Sequence, residues 1–372
     1  MAIYLKIVLC ICFISTSKAS FFDRKVSCMV TNWSPWSSPD ENGQRIRTCR
    51  ILRLPANGGL PCPHTREVKD EGCNCTIWSG WSESFGFGQK SRTRNWMGNL
   101  RRRFNVIGTY GCKNVLEEDI RYTGWKPEFS DIVRTFGKIF VTASTPSWYE
   151  PIPSSYEPIP DNQRGKVRDI LLILDSSGSV QRTDFTKAKK DAKTLFGLLC
   201  PKGKSFDVVN NDPYQHHQLA MITFSTTVVE NFFFNSYEKT YYVLNAITKA
   251  KYLGHRTNTA GAFRKAKEMF EKNRGARKSK SKVKQEVLIL TDGLSNEGGD
   301  AVAAAKDLSK VADVYGLMIG KFSASGMEEL TEYVSKPASQ HLFSLENFNT
   351  FSELVYNMTK LSKTEGWCTG YD

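Results

Sequence analysis

From Asp169 onward the sequence alternates short apolar runs with longer stretches of helical periodicity, and this alternation constrains the fold most. Residues 170–174 (Ile-Leu-Leu-Ile-Leu) and 287–290 (Val-Leu-Ile-Leu) contain no polar side chain. A strand with one wet face alternates apolar and polar residues. A strand without that alternation is covered on both faces, as in a parallel sheet. Further strands are expected at 219–224, 228–233, 314–319 and 341–344. Helices are expected at 184–199 (Thr183 as N-cap), 237–250, 260–272, 300–311, 327–334 and 348–361. The expected fold class is α/β: a doubly wound, mostly parallel sheet with helices on both faces, preceded by small disulfide-rich β modules.

Ligands of open parallel sheets sit beyond the carboxyl ends of the strands. The first apolar strand runs out into Asp175-Ser176-Ser177-Gly178-Ser179, the other into Thr291-Asp292-Gly293. The loop holding Thr257 and Thr259 lies between them in sequence. Carboxylates and hydroxyls are hard oxygen donors, without thiolate or imidazole, which suits Mg²⁺, with Mn²⁺ or Ca²⁺ as substitutes. Asp-x-Ser-x-Ser, a central Thr and a strand-end Thr-Asp-Gly, in this order, resemble the metal-ion-dependent adhesion site of von Willebrand factor A domains. The resemblance spans residues 168–362. It implies the ligands Asp175, Ser177, Ser179, Thr257 and Asp292, with Thr257 chosen over Thr259 because the family's residue is the first of that pair. The serines would bind through their hydroxyls, Thr257 directly or through water, and the aspartates mostly through water. Few formal charges leave the ion electrophilic, so the carboxylate of an acidic matrix or cell-surface protein can complete its coordination.

Catalysis is not expected. The Gly-x-Ser-x-Gly elbow is absent and no histidine stands in a triad position; His216 and His217 read as solvated loop residues.

The amino terminus reads as a signal peptide over residues 1–19: Lys6, an apolar run too short to span a membrane, which needs ~20 residues, then small residues Ser17 and Ala19. No later stretch is long and apolar enough to span. The expected location is the extracellular space or matrix. The net charge is +13, or +11 without Lys6 and Lys18. In that setting a basic protein meets sulfated glycans, acidic matrix proteins or membrane surfaces rather than nucleic acid. Sequons stand at Asn32, Asn74 and Asn357.

Eight cysteines remain after residue 19, six of them within residues 28–112, a density that suggests disulfides standing in for a core. In the same region Trp33-Ser-Pro-Trp36 is followed by Arg45-Ile-Arg47, and Trp78-Ser-Gly-Trp81 by Arg92-Thr-Arg94. Alternate strand residues face one way, so each arginine pair can interleave with tryptophans on an adjoining strand. This pattern resembles thrombospondin type-1 repeats, in two copies at 27–74 and 75–113. The second copy is degenerate, and the first has four cysteines where the family commonly has six. The resemblance implies the pairs Cys28–Cys62, Cys49–Cys73 and Cys75–Cys112, and sulfated-glycan binding through Arg92, Arg94, Arg101, Arg102 and Arg103. Arg92 and Arg94 are equally readable as structural rungs of the ladder.

Residues 114–141 read as an irregular extension and 142–165 as a proline-rich linker, in which Tyr149-Glu-Pro-Ile-Pro153 recurs as Tyr156-Glu-Pro-Ile-Pro160. Residues 363–372 read as a tail. Residues 264–284 hold ten Lys or Arg against two Glu. They are either a solvated helix end or a polyanion contact through Arg277, Lys278, Lys280 and Lys282. Cys200 and Cys368 follow the first and last helices and are expected to pair at the pole opposite the metal. The combination resembles coadhesin-like matrix proteins, which implies adhesion and extends to a biomineral (skeletal) matrix. The alternative is a structural scaffold that organises polyanions without metal-dependent capture.

Overall fold

The computed structural model describes residues 25–38, 44–70, 74–75, 78–97, 116–142, 167–200, 202–208, 212–278 and 282–368. The signal segment, nearly all of the linker, Cys73, Cys112, Arg101, Arg102, Arg103 and Lys280 lie outside the described residues, as do the side chains of Asn74 and Cys75.

The amino-terminal part contains β1 (Met29–Val30), β2 (Gln44–Thr48), β3 (Ile51–Arg53), β4 (Arg66–Asp70), β5 (Asn74–Cys75), β6 (Gln89–Met97) and β7 (Leu116–Tyr122). The pairs β1–β3, β2–β4, β5–β6 and β6–β7 are all antiparallel. β7 corrects the expected extension at 114–141, because its acidic residues stand opposite the basic ones of β6: Asp119 against Arg92 and Glu117 against Arg94. Opposite charges across a strand pair favour this register.

The rest of that extension belongs to the carboxyl-terminal domain. Helix α1 (Phe129–Phe136) continues into a π-helical turn, Gly137–Val141. Phe136 and Phe140, one helical turn apart, are wholly buried and meet Phe343, Phe196 and Tyr315 edge-on. Gly137 lets Trp367 approach; a Cβ there would lie 2.2 Å from its ring. The expected tail at 363–372 is likewise corrected: Trp367 is in the core, and Cys368 is bridged to Cys200.

The central sheet consists of β8 (Val167–Asp175), β9 (Gln218–Phe224), β10 (Val228–Phe232), β11 (Val283–Thr291), β12 (Asp313–Ile319) and β13 (Leu342–Leu345), in the order β10-β9-β8-β11-β12-β13. Only the β10–β9 pair is antiparallel. Side chains of β8 divide by parity. Ile170, Leu172 and Leu174 join the layer of α1, α2 (Arg182–Phe196), α3 (Thr240–Lys249) and α8 (Phe348–Thr364). Leu171 and Ile173 join α4 (Thr259–Glu271), α5 (Ala301–Leu308), α6 (Ala324–Thr331) and α7 (Ala338–His341). Burying such a side chain contributes about 1.5–3 kcal/mol, which is why the unbroken apolar runs occupy the centre. α2 begins at Arg182 with Gln181 as N-cap, not Thr183. α3 starts later than expected, where Asp207 Oδ1 accepts from Thr240 N at 2.8 Å.

The starts of β8 and β11 carry buried charge. Arg168 pairs with Glu286, both essentially unexposed, and donates through Nη1 to the Phe140 carbonyl at 2.6 Å. Arg277 donates through Nε to Asp169 at 2.8 Å and through Nη1 to the His216 carbonyl at 2.9 Å. The histidines expected in solvent are buried too. His217 accepts from Arg168 N at 3.0 Å through Nδ1 and faces the Cys200 carbonyl at 2.9 Å through Nε2, a neutral arrangement. Burial beside Arg168 pushes its pKa down to about 3.

The amino-terminal strands pack on the α6–α7 side. Ile51, Cys62 and Tyr122 cluster with Ala324 and Met327, and Phe87 meets Phe322 edge-on at 5.5 Å. The buried Gln89 donates to Thr331 Oγ1 at 2.8 Å.

Candidate metal centre

The carboxyl ends of β8 and β11 are adjacent, since the two strands pair in parallel from Val167 to Leu174. Asp175 therefore lies beside the Thr291-Asp292 end. Asp175 is 1% exposed; its Oδ1 accepts from Ser177 N at 2.8 Å and its Oδ2 from Thr291 Oγ1 at 2.6 Å. Ser177 Oγ lies 3.0 Å from Ser179 Oγ, which donates to Asp292 Oδ1 at 2.7 Å. Two segments distant in sequence thus bring four of the five expected ligands together.

Thr257 completes the set. A Cβ placed on Gly293 would lie 3.6 Å from Ser179 Oγ and 3.8 Å from Thr257 Oγ1, so both hydroxyls face the same small space. Asn296 Oδ1 accepts from Thr257 N at 2.9 Å. Thr259 instead is fully buried as the first residue of α4, and its hydroxyl has no partner among the described residues. The loops are tied to one another: Gly178 N donates to the His255 carbonyl at 2.7 Å, and Leu253 N to Ser176 Oγ at 2.8 Å.

Burial, then Asp292 nearby, pushes Asp175 up to about 6, and burial also raises Asp292. Among the described residues no Lys or Arg forms an ion pair with either carboxylate. Two half-buried or buried carboxylates and three hydroxyls, with no fixed cation, fit a hard divalent ion whose charge would offset that burial. Sequence reasoning missed Thr291, which orients Asp175, and Asn296, which orients Thr257. Thr291 stood in the quoted triplet; Asn296 carried no signal.

The other expected site residues divide differently. Arg47 lies 5.0 Å from the Trp33 ring and 4.8 Å from Trp36, and pairs with Glu67. Arg92 lies 4.8 Å from both Trp78 and Trp81 and pairs with Asp119; Arg94 covers Trp78 at 4.4 Å. Arg121 of β7 adds a rung over Trp81 at 4.2 Å that sequence reasoning missed. Arg277 is a correction. It is 9% exposed and bound to Asp169, so it holds the sheet and cannot meet a glycan. Lys278 is exposed; Lys282 is exposed with its ammonium 4.7 Å from the Tyr214 ring. Cys28 is bridged to Cys62, but Cys49 is a buried free thiol, 3.5 Å from the His64 carbonyl, instead of the expected bridge to Cys73. Asn32 is exposed, whereas Asn357 lies in α8 with its amide donating to the Glu353 carbonyl at 2.9 Å.

The pattern of the von Willebrand factor type A domain matches residues 169–357. Integrin alpha-M of Mus musculus is 28% identical over 212 residues, 54% of this chain and 17% of that protein. Matrilin-3 of Mus musculus is 27% identical over 187 residues, 50% of this chain and 36% of that protein. Spondin-1 of Rattus norvegicus is 34% identical over 90 residues, 19% of this chain and 11% of that protein. The chain thus spans well under two thirds of these relatives. Proximal thread matrix protein 1 of the mussel byssus superposes at a TM-score of 0.45 with 20% identity, covering 53% of this chain and 48% of that one.

Proposed function

Because this chain belongs to the von Willebrand factor type A domain family, we propose that it is an extracellular matrix or cell-adhesion protein that captures an acidic protein ligand through a divalent ion. In this reading Asp175, Ser177, Ser179, Thr257 and Asp292 hold Mg²⁺, or Mn²⁺ or Ca²⁺ in its place. The supporting observation is the continuous run of oxygens from Ser177 through Ser179 to Asp292, 3.0 and 2.7 Å apart, beside the buried Asp175. The bound ion supplies a Lewis-acidic coordination position for the ligand's carboxylate. Thr291 and Ser177 N fix the Asp175 carboxylate, and the His255 carbonyl fixes the serine loop, so the donors need little rearrangement to bind.

The amino-terminal strands, with arginines layered between paired tryptophans, are read as two thrombospondin type-1 repeats. They would bind sulfated glycans through Arg101, Arg102 and Arg103, and the exposed Lys278 and Lys282 of the carboxyl-terminal domain would add a separate polyanion contact. Secretion follows from residues 1–19, and a biomineral matrix is one setting that suits a basic adhesive protein. Among the described residues no helix is long and apolar enough to cross a membrane. The relatives are adhesion and matrix proteins, which supports a role without catalysis.

Pull-down from matrix extract with the full chain tests the proposal. Retention lost in chelator, and lost in Asp175→Ala at unchanged salt, is expected. Retention indifferent to chelator and lost only in high salt would favour the polyanion scaffold instead.

A further inference from the structure

We infer that the metal face reads two acidic groups of one ligand segment: a carboxylate at the ion, and a second carboxylate held by Arg182 or Arg256, which stand on the loops and helix beside it. This rests on the reading of the centre as a receptor for a foreign carboxylate.

The Arg182 guanidinium and the Arg256 backbone are each placed by contacts that lead back to the serine loop. Arg182, the first residue of α2, is exposed with its guanidinium 4.9 Å from the centre of the Tyr252 ring. The Tyr252 hydroxyl in turn lies 3.4 Å from the Ser177 carbonyl. One aromatic ring therefore separates this cation from the Asp175–Ser179 loop. Arg256, also exposed, immediately precedes Thr257, and its backbone N–H donates to Thr226 Oγ1 at 3.2 Å. His255, just before it, has a φ of 71° and gives its carbonyl to Gly178 N, which pins this turn against the serine loop. The left-handed backbone at a non-glycine residue is costly unless contacts hold it, and these contacts do.

The charge pattern separates these two arginines from six cations of the basic segment, though Arg264, Lys278 and Lys282 there also lack a carboxylate partner among the described residues. In the basic segment, Lys265, Lys267, Lys272, Arg274, Arg277 and Lys284 each have a carboxylate within 4.0 Å. Among the described residues Arg182 and Arg256 have none within that distance. Acids at the same strand-end edge have partners of their own. Asp184 faces Lys187, Glu297 accepts from Thr226 at 3.1 Å, and Asp300 caps α5. The exposed Glu346 follows β13, at the far edge of the sheet. These acids keep their charge, and Asp184 adds to the negative field at Asp292. Yet Arg182 and Arg256 stand on this rim without a carboxylate partner among the described residues and can receive one from a ligand. In an extended segment residues i and i+2 project to the same side, about 7 Å apart. Glu-x-Glu is the simplest segment that meets both the ion and one arginine.

The test uses the full chain and two peptides coupled at equal density to beads, Gly-Gly-Glu-Gly-Gly and Gly-Glu-Gly-Glu-Gly, in Mg²⁺ at low and physiological salt. Two copies of a single-point ligand give at most a two-fold statistical gain. The diacidic peptide is expected to bind roughly five- to ten-fold tighter, less so at high salt. In Arg182→Gln with Arg256→Gln that advantage should shrink to about two-fold. Mg²⁺ uptake by calorimetry and the melting temperature should be unchanged in that variant. Chelator-sensitive binding without discrimination between the peptides, or discrimination that survives in the double variant, would overturn the two-point reading alone. Failure of both peptides to bind in Mg²⁺ would overturn the receptor reading as well.

Discussion

Replacing Arg277 by alanine separates a structural role from a surface one, and the structure sets the scale. The side chain donates to Asp169, to the carbonyls of Pro213 and His216 and to that of Arg168. Asp169 is wholly buried. Arg277→Ala leaves that carboxylate buried without its cation, which costs roughly 3–5 kcal/mol. For a domain of this size that lowers the melting temperature by roughly 10 °C. Lys278→Ala, next door and exposed, should stay within about 0.5 kcal/mol. Pairing Arg277→Met with Asp169→Leu should recover much of the loss, because two apolar side chains remove the unpaired charge. Thermal unfolding by circular dichroism, alongside elution from immobilised heparin, reads both roles. A variant that melts within about 2 °C of the parent but elutes much earlier from heparin would refute the reasoning.

Mg²⁺ at saturating concentration should raise the melting temperature of the parent and leave Asp175→Ala unmoved; an equal rise in both would place the ion elsewhere. Without divalent ions, Asp175 at about 6 holds a proton that the unfolded chain, at 3.8, has released. Stability should then fall as pH rises from about 4 to 6, by up to about 3 kcal/mol, and Mg²⁺ should suppress this slope. Urea titrations across that range decide, and a slope that persists in Asp175→Asn would contradict the assignment. Cys200→Ser opens a loop with a sequence separation of 168 residues, for which chain entropy suggests a loss of about 5 kcal/mol. A denaturant midpoint unchanged on reduction would show that the bridge contributes nothing.

Much of the carboxyl-terminal domain was legible in the sequence because apolar runs report burial directly. The strands at 170–174 and 287–290 sit at the centre of the sheet, with neighbouring side chains divided between two helix layers. The acidic and hydroxyl residues converge because β8 and β11 run parallel and side by side; their lack of polar alternation placed both inside the sheet, while their adjacency came from the tertiary structure. The segment 114–141 was not legible, since its strand is specified by charges on β6 and its helix by rings of other elements. Arg277 misled for a related reason: a charged residue in a basic run looks exposed until the partner, 108 positions away in sequence, is seen beside it. The sequence by itself determined the fold class and the kinds of atom at the strand ends, because periodicity and residue type are local properties. Only the tertiary structure decided which cations are committed to carboxylates and which, like Arg182 and Arg256, face outward beside the centre, because ion pairing depends on neighbours that the chain order does not disclose.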